Sequence, residues 1–404
     1  MPAERPLLVL VSDIHLTDDL TGASIPKEAI FERFWTRIEA ARGHRPAVMC
    51  FVGDVFDVVR SPRWFDTPHR PYHHVNDDVV SVVETIVDKT LEREAAFFAA
   101  IRKRVEAGAL EVRYVLGNHD RLLGHAPKAR RAVWKALTGE DKDVVFPEEI
   151  LFPEHGVLAY HGNIGDAINH DPEGGPTIGD AIGSELITRF PREVRRIAGE
   201  PLPELDDIDD VRPVYAVPAW VRHLGVVRPE LLRPVHEGWV EVVGGFLDDE
   251  FVRRWMKRKQ KRFGLDTGKK LRLLLELSTK KLIAKGADKR LSEAYRVMQQ
   301  AFDGKMALLA AKQVRRRDGV RYVVNGHSHY AAIRPIGTVD GRAAVYFNTG
   351  TWRSVHQIGH DLKGRPAFLP YDAMSYLVFF PDGDALGRDY EWWTGAMVAA
   401  RPHA

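Results

Sequence analysis

Five short apolar, largely β-branched runs punctuate the chain: Leu7–Val11, Val48–Val52, Val112–Leu116, Val157–Tyr160 and Tyr322–Asn325. Each ends in a cluster of Gly, Asp, Asn or His, the pattern of a buried strand running into a loop. Between the first three runs, Lys27–Arg42 and Asp77–Ala107 carry apolar residues at helical spacing. Alternating strands and helices over the first half predict an α/β layer architecture.

The pattern changes after Tyr160. A Gly/Pro/Asp-rich loop, Gly162–Asp180, leads into Ala181–Arg317, which has little strand character. That stretch holds a Pro/Asp-dense connector, Pro201–Pro213, and long basic helices such as Arg253–Lys261 and Ser278–Met306. Strand signals resume at Val320 and continue through Ala343–Phe347 and Met374–Phe380. The expected organisation is an α/β domain over 1–165 and 320–404, split by a mostly helical insertion over 166–319. At 404 residues and 45% hydrophobic content, the chain can bury a sizeable core.

Charge adds an asymmetry that the totals hide. Lys+Arg 58 against Asp+Glu 56 give a net charge of +2, which favours no class of partner. Phe251–Val320 alone, however, holds 21 Lys/Arg against 6 Asp/Glu, so the remainder is net negative. Nucleic acid or an anionic membrane surface could be engaged through this basic insertion; a solvated helical face is the plainer reading. The single cysteine, Cys50, excludes an intramolecular disulfide and reads as a small buried hydrophobe in a reducing compartment. No run reaches the ~18 apolar residues of a membrane span, and no basic leader precedes Leu7. A cytoplasmic protein without an integral membrane segment is expected.

The strand ends repeat one chemical theme. They deliver Asp13-Ile14-His15, Gly53-Asp54-Val55-Phe56-Asp57, Gly117-Asn118-His119-Asp120, His161-Gly162 and Gly326-His327-Ser328-His329. Ligands of open α/β sheets gather at the carboxyl ends of strands, so these clusters should meet in one crevice. Imidazole and carboxylate together suit Mn, Fe, Zn or Ni better than Ca or Mg, which prefer all-oxygen shells. On an extended segment residues i and i+2 project to the same side, so Asp13 with His15, and His327 with His329, should each reach one site. Ser12 and Ser328 should then point away, and neither has an evident paired base, so no covalent nucleophile is required.

Taken in order, these five motifs resemble the calcineurin-like metallophosphoesterase superfamily, over roughly residues 7–162 and 320–355. The resemblance implies a layered β-sandwich flanked by helices, interrupted here by the large helical insertion. It also implies two divalent metal ions, manganese first, with Fe, Zn or Ni compatible. Asp13, His15 and His329 would hold one ion, Asn118, His161 and His327 the other, and Asp54 would bridge them. A hydroxide bridging the ions would attack phosphorus. His119 would contact the substrate phosphate and protonate the leaving oxygen, with Asp120 orienting it. Asp57 would support the site by hydrogen bonding rather than by ligation. The segment Asn348-Thr349-Gly350-Thr351-Trp352 resembles the turn that closes such sites.

Arg60, Arg63, Arg121 and Arg353 lie beside the motif loops and are candidates for substrate phosphate, since a guanidinium fork can bind two oxygens. The expected activity is a metal-dependent phosphohydrolase acting on a phosphate ester or anhydride. A nuclease or a nucleotide-lipid pyrophosphatase could use the same chemistry, with the basic insertion binding the larger substrate. A non-catalytic scaffold ranks last, because no ligand position is missing.

Overall fold

Successive side chains of a strand point to opposite faces, and the first strand, β1 (Leu7–Val11), thereby feeds two cores. Leu7, Val9 and Val11 pack among helical residues such as Phe34, Trp35, Val83, Phe97 and Val133. Leu8 and Leu10 pack instead with Val157, Tyr322, Val324 and Phe347, which belong to other strands. The computed structural model from which these contacts come describes residues 5–19, 28–212, 216–258, 267–281, 304–360, 366–381, 384 and 386–397.

The elements before Tyr160 follow the predicted alternation. Helix α1 (Glu28–Arg42) leads to β2 (Ala47–Val52); α2 (Asp77–Arg93) and α3 (Ala95–Glu106) lead to β3 (Leu110–Val115); α4 (Pro127–Thr138) precedes β4 (Glu149–Phe152) and β5 (Val157–Tyr160). Asn76 caps α2 by accepting from the amide of Val79, and Asp77 and Asp78 face the positive end of the helix dipole. The single helix expected over Asp77–Ala107 is two helices. Glu94, at φ −98 and ψ 24, ends one and begins the next with no Gly or Pro to mark the break.

Two mixed sheets result. In the first, β1 pairs in parallel with β2, β2 with β3, and β1 antiparallel with the long β11 (Pro366–Phe379). Strand β11 also pairs antiparallel with β10 (Ser354–His360) and β12 (Tyr390–Met397). In the second sheet the order is β4, β5, β7 (Tyr322–Asn325), β9 (Arg342–Asn348) and β8 (Ala332–Val339). The fold is therefore mixed α/β.

The excursion after Tyr160 is mostly helical from Ile178 onward where it is described, and it carries its own core. A run from α5 (Ile178–Ala181) through a π-turn, Ile182–Thr188, to α6 (Arg189–Ala198) packs against α7 (Val217–Val227), α8 (Leu232–Asp248), α9 (Glu250–Arg258) and α10 (Thr267–Lys281). One two-residue strand, β6 (Val211–Arg212), joins this excursion to the edge of the first sheet by pairing with His356 and Gln357 of β10. Met306 and Ala310, on the helical run 304–316, pack instead on the second sheet with Leu158, Val323 and Tyr346. Much of the expected basic helices Arg253–Lys261 and Ser278–Met306 lies outside the described residues. No helix among the described residues is long and apolar enough to cross a membrane.

Candidate metal centre

The strand ends converge. Asp13 and His15 follow β1, Asp54 follows β2, Asn118 follows β3, His161 follows β5, and His327 and His329 follow β7. Three groups among them bring potential ligand atoms within 4.8 Å of one another: Asp13, His15 and His329; His15, Asp54 and His119; and Asp54, His161 and His327. The first sheet supplies Asp13, His15 and Asp54, and the second supplies His161, His327 and His329. The first and third groups thus straddle both sheets, while His15, Asp54 and His119 all follow strands of the first.

In the first cluster, His329 Nε2 is 3.2 Å from Asp13 Oδ1 and 3.0 Å from His15 Nε2. In the cluster of Asp54, His161 and His327, His161 Nε2 is 3.1 Å from Asp54 Oδ2, and Asn118 Oδ1 lies beside it at 3.1 Å. Asp54 Oδ2 also lies 3.7 Å from His15 Nε2, so one carboxylate oxygen faces histidines of both clusters. The donor set of imidazoles, carboxylates and one amide oxygen fits divalent ions of intermediate hardness. These His/Asp clusters could hold metal ions.

The expected i, i+2 geometry is corrected. Asp13, His15, Asp54, His327 and His329 all have positive φ, between 52° and 71°, so the ligand loops are not extended. Asp13 and His15 reach one cluster as expected, whereas His327 and His329 serve different clusters. Left-handed turns at alternate residues, not strand pleating, aim these side chains.

Outer partners fix the rings. His15 Nδ1 is 2.9 Å from Asp57 Oδ2, and His161 Nδ1 donates to the carbonyl of Val52 at 2.9 Å. A ring that donates at Nδ1 keeps its Nε2 lone pair for a ligand. His327 Nε2 is 3.1 Å from Asp166 Oδ2, a partner that sequence reasoning missed although it lies only five residues beyond His161. His329 differs, since Arg212 Nε donates to its Nδ1 at 3.0 Å. Arg212, on β6, was also missed, because nothing in a helical, basic excursion marks one arginine as buried against a ligand.

Asp57 supports the site by hydrogen bonding, as expected, and also takes the orienting role expected of Asp120. His119 Nδ1 is 2.8 Å from Asp57 Oδ1, so Asp57 orients both His119 and His15. Asp120 does not orient His119. It accepts from the amides of Gly117 (2.6 Å) and Val55 (3.1 Å) and from the Tyr114 hydroxyl (2.7 Å), bracing two loops against each other. Ser12 does not point away either: its hydroxyl contacts Asp13 Oδ2 and lies 2.6 Å from Thr349 Oγ1 in the closing turn. Thr351 of that turn donates to the Asp13 carbonyl at 2.7 Å.

The arginine candidates separate. Arg60 donates to Asp57 Oδ2 at 2.5 Å and lies 3.1 Å from His15 Nδ1, while Arg353 donates to Asp209 and Asp210 at 2.5 and 3.0 Å. Arg63 instead pairs with Asp18, and Arg121 with Asp180 and the Pro71 carbonyl. The contacts of those two are structural.

Burial and opposite charge set the protonation states. Burial pushes the Asp13, Asp54 and Asp57 carboxyls up, but their charged and hydrogen-bonding partners, led by His329, His161 and Arg60 respectively, together outweigh it, and all three lie below the usual carboxylate range. Burial holds the imidazoles of His15 and His329 below their ordinary value, which keeps them neutral at pH 7. Burial acts the same way on His161, but Asp54 reverses it and raises this imidazole to about 10. His161 must therefore shed a proton to ligate, and metal uptake at its cluster should release protons. No protein-family model matches the chain, and no curated protein matches it.

Proposed function

We propose that the chain is a metal-dependent phosphohydrolase of the calcineurin-like metallophosphoesterase type, with its two sheets forming the family's layered sandwich. The observation that carries this reading is the position of Asp54, whose Oδ2 lies between His15 Nε2 at 3.7 Å and His161 Nε2 at 3.1 Å. A carboxylate common to two His/Asp clusters is what a bridging ligand of an ion pair requires. Asp13, His15 and His329 would hold one ion and Asn118, His161 and His327 the other. The shared core of Leu8 and Leu10 with Val324 and Phe347 supports the sandwich. Two divalent ions held there, Mn, Fe, Zn or Ni by the donor set, would supply a nucleophile from water at neutral pH and offset phosphoryl charge.

The chain's own residues do the rest. His119 has a side chain 19% exposed at the edge of the site, and Asp57 holds its ring. On this reading it would give a proton to the departing oxygen. In the net reaction the oxygen of water bonds to phosphorus, the P–O bond to the leaving group breaks with its electron pair, and one proton of water ends on that group.

Activity of the purified chain towards aryl phosphates should vanish on chelation and return with Mn. Full turnover in the metal-free protein would exclude this mechanism. His119→Ala should retain Mn and lower turnover by roughly 10²–10⁴. Loss of Mn in that variant would instead make His119 a ligand.

A further inference from the structure

One ring of the first cluster is set against ligation. Arg212 Nε donates to His329 Nδ1 at 3.0 Å. A guanidinium has no lone pair to offer, so His329 must accept here, and a neutral imidazole that accepts at Nδ1 carries its proton on Nε2. That nitrogen is the one facing the cluster, 3.2 Å from Asp13 Oδ1 and 3.0 Å from His15 Nε2. A hydrogen-bond chain of one polarity results: Arg212 donates to His329, His329 to Asp13 and His15, and His15 Nδ1 to Asp57 Oδ2 at 2.9 Å. Arg60 lies 3.1 Å from His15 Nδ1 but gives its Nε proton to that same oxygen. His329 thus presents an N–H where an ion needs a lone pair. His15 and His161 are set the opposite way, since each gives its Nδ1 proton to an oxygen.

The contact is built into the fold. Arg212 is 8% exposed, and its Nη1 donates to the carbonyls of Asp209 and Val211 at 2.7 and 2.9 Å. Those carbonyls hold the guanidinium against its own strand, β6, which pairs with His356 and Gln357 at the edge of the first sheet. Moving the ring proton to Nδ1 would set His329 Nδ1–H against Arg212 Nε–H, two donors 3.0 Å apart with no acceptor between them.

We propose that Arg212 is an autoinhibitory contact of the insertion: seated on β6, it locks His329 in the tautomer that cannot ligate through Nε2, so that an ion in the first cluster and Arg212 on the ring exclude each other. The inference rests on the hydrolase reading above and adds a control on one of its two ion sites. By linkage, whatever lifts β6 from β10 favours the ion, and the ion favours the lifting of β6.

The test uses the full chain, stripped of metal and then loaded with Zn, which is diamagnetic and suits the same donors. Nitrogen NMR of the isotope-labelled histidine rings, with His329→Ala marking the signals that vanish, should show His329 protonated at Nε2 without Zn and at Nδ1 with it. In calorimetry, Arg212→Lys should tighten one of two Zn-binding steps at least ~10-fold and leave the other unchanged, the range that an outer partner of a ligand carries. Lysine keeps the positive charge but puts a methylene where Nε stood, so it separates the hydrogen bond from the charge. If Arg212→Lys binds no tighter than wild type, the proposal falls. Tightening in Arg212→Met alone would then trace to plain charge repulsion. A His329 ring that already bears its proton on Nδ1 in the Zn-free wild type overturns the proposal without any variant. These results leave the hydrolase reading intact, whereas a chain that takes up neither Zn nor Mn overturns both.

Discussion

Asp13, His15, Asp54, His327 and His329 occupy left-handed backbone conformations, and among the described residues only Asp340 joins them as a further non-glycine with positive φ. Each such residue costs on the order of 1–3 kcal/mol and persists only where its surroundings impose it. Neighbouring glycines provide the room. A Cβ on Gly326 would fall 2.2 Å from Asp13 Oδ2 and 2.3 Å from Ser12 Oγ, and one on Gly117 would fall 2.1 Å from Asp54 Oδ1. Asp13 cannot yield easily, because it accepts from the His327 amide at 3.0 Å and abuts Ser12. Gly326→Ala should therefore displace the Asp13 carboxylate and leave about one Mn per chain in place of two, with circular dichroism unchanged. Elemental analysis returning both ions in that variant would refute the steric argument.

At the level of elements, what the sequence made legible was whatever periodicity and punctuation encode. β1, β5 and β7 fall where their apolar runs lie, because a strand buried on both faces has to be apolar throughout. The residue types that meet in the clusters were legible for a related reason: Asp, Asn and His directly after such runs have few structural uses in common. Partnership was not legible, because it depends on how loops from different strands stack. Asp57 and Asp120 are both buried carboxylates near His119, and only the three-dimensional arrangement separates them. The consequence is a pair of contrasting variants. Asp120→Ala strips acceptors from two amides and a tyrosine hydroxyl and should cost roughly 3–5 kcal/mol in urea unfolding. Asp57→Asn leaves the buried Arg60 without its counter-charge and should also cost stability. Unlike Asp120→Ala, it should lower turnover of the folded protein by about tenfold or more by loosening His15 and His119. Were Asp120→Ala the variant that kept its stability and lost turnover, the original expectation for that residue would stand.

For the molecule as a whole, the decisive feature is that two of the three clusters draw on both sheets. Asp13 and His15 need His329 from the opposite sheet, and Asp54 needs His161 and His327. Ions held there would tie the two sheets together, and a ligand that binds only the folded chain stabilises it by mass action. Each occupied site should add about 2.7 kcal/mol to unfolding at free Mn 100 times its dissociation constant. Because Asp54 faces both clusters, Asp54→Ala should abolish the whole increment, whereas His329→Ala should remove about half of it. Each variant is compared with its own chelated baseline, so any intrinsic loss of stability cancels. The measurement is a urea melt with and without Mn. Equal increments in the two variants would mean that Asp54 is not shared, and the paired-ion centre would fall with it.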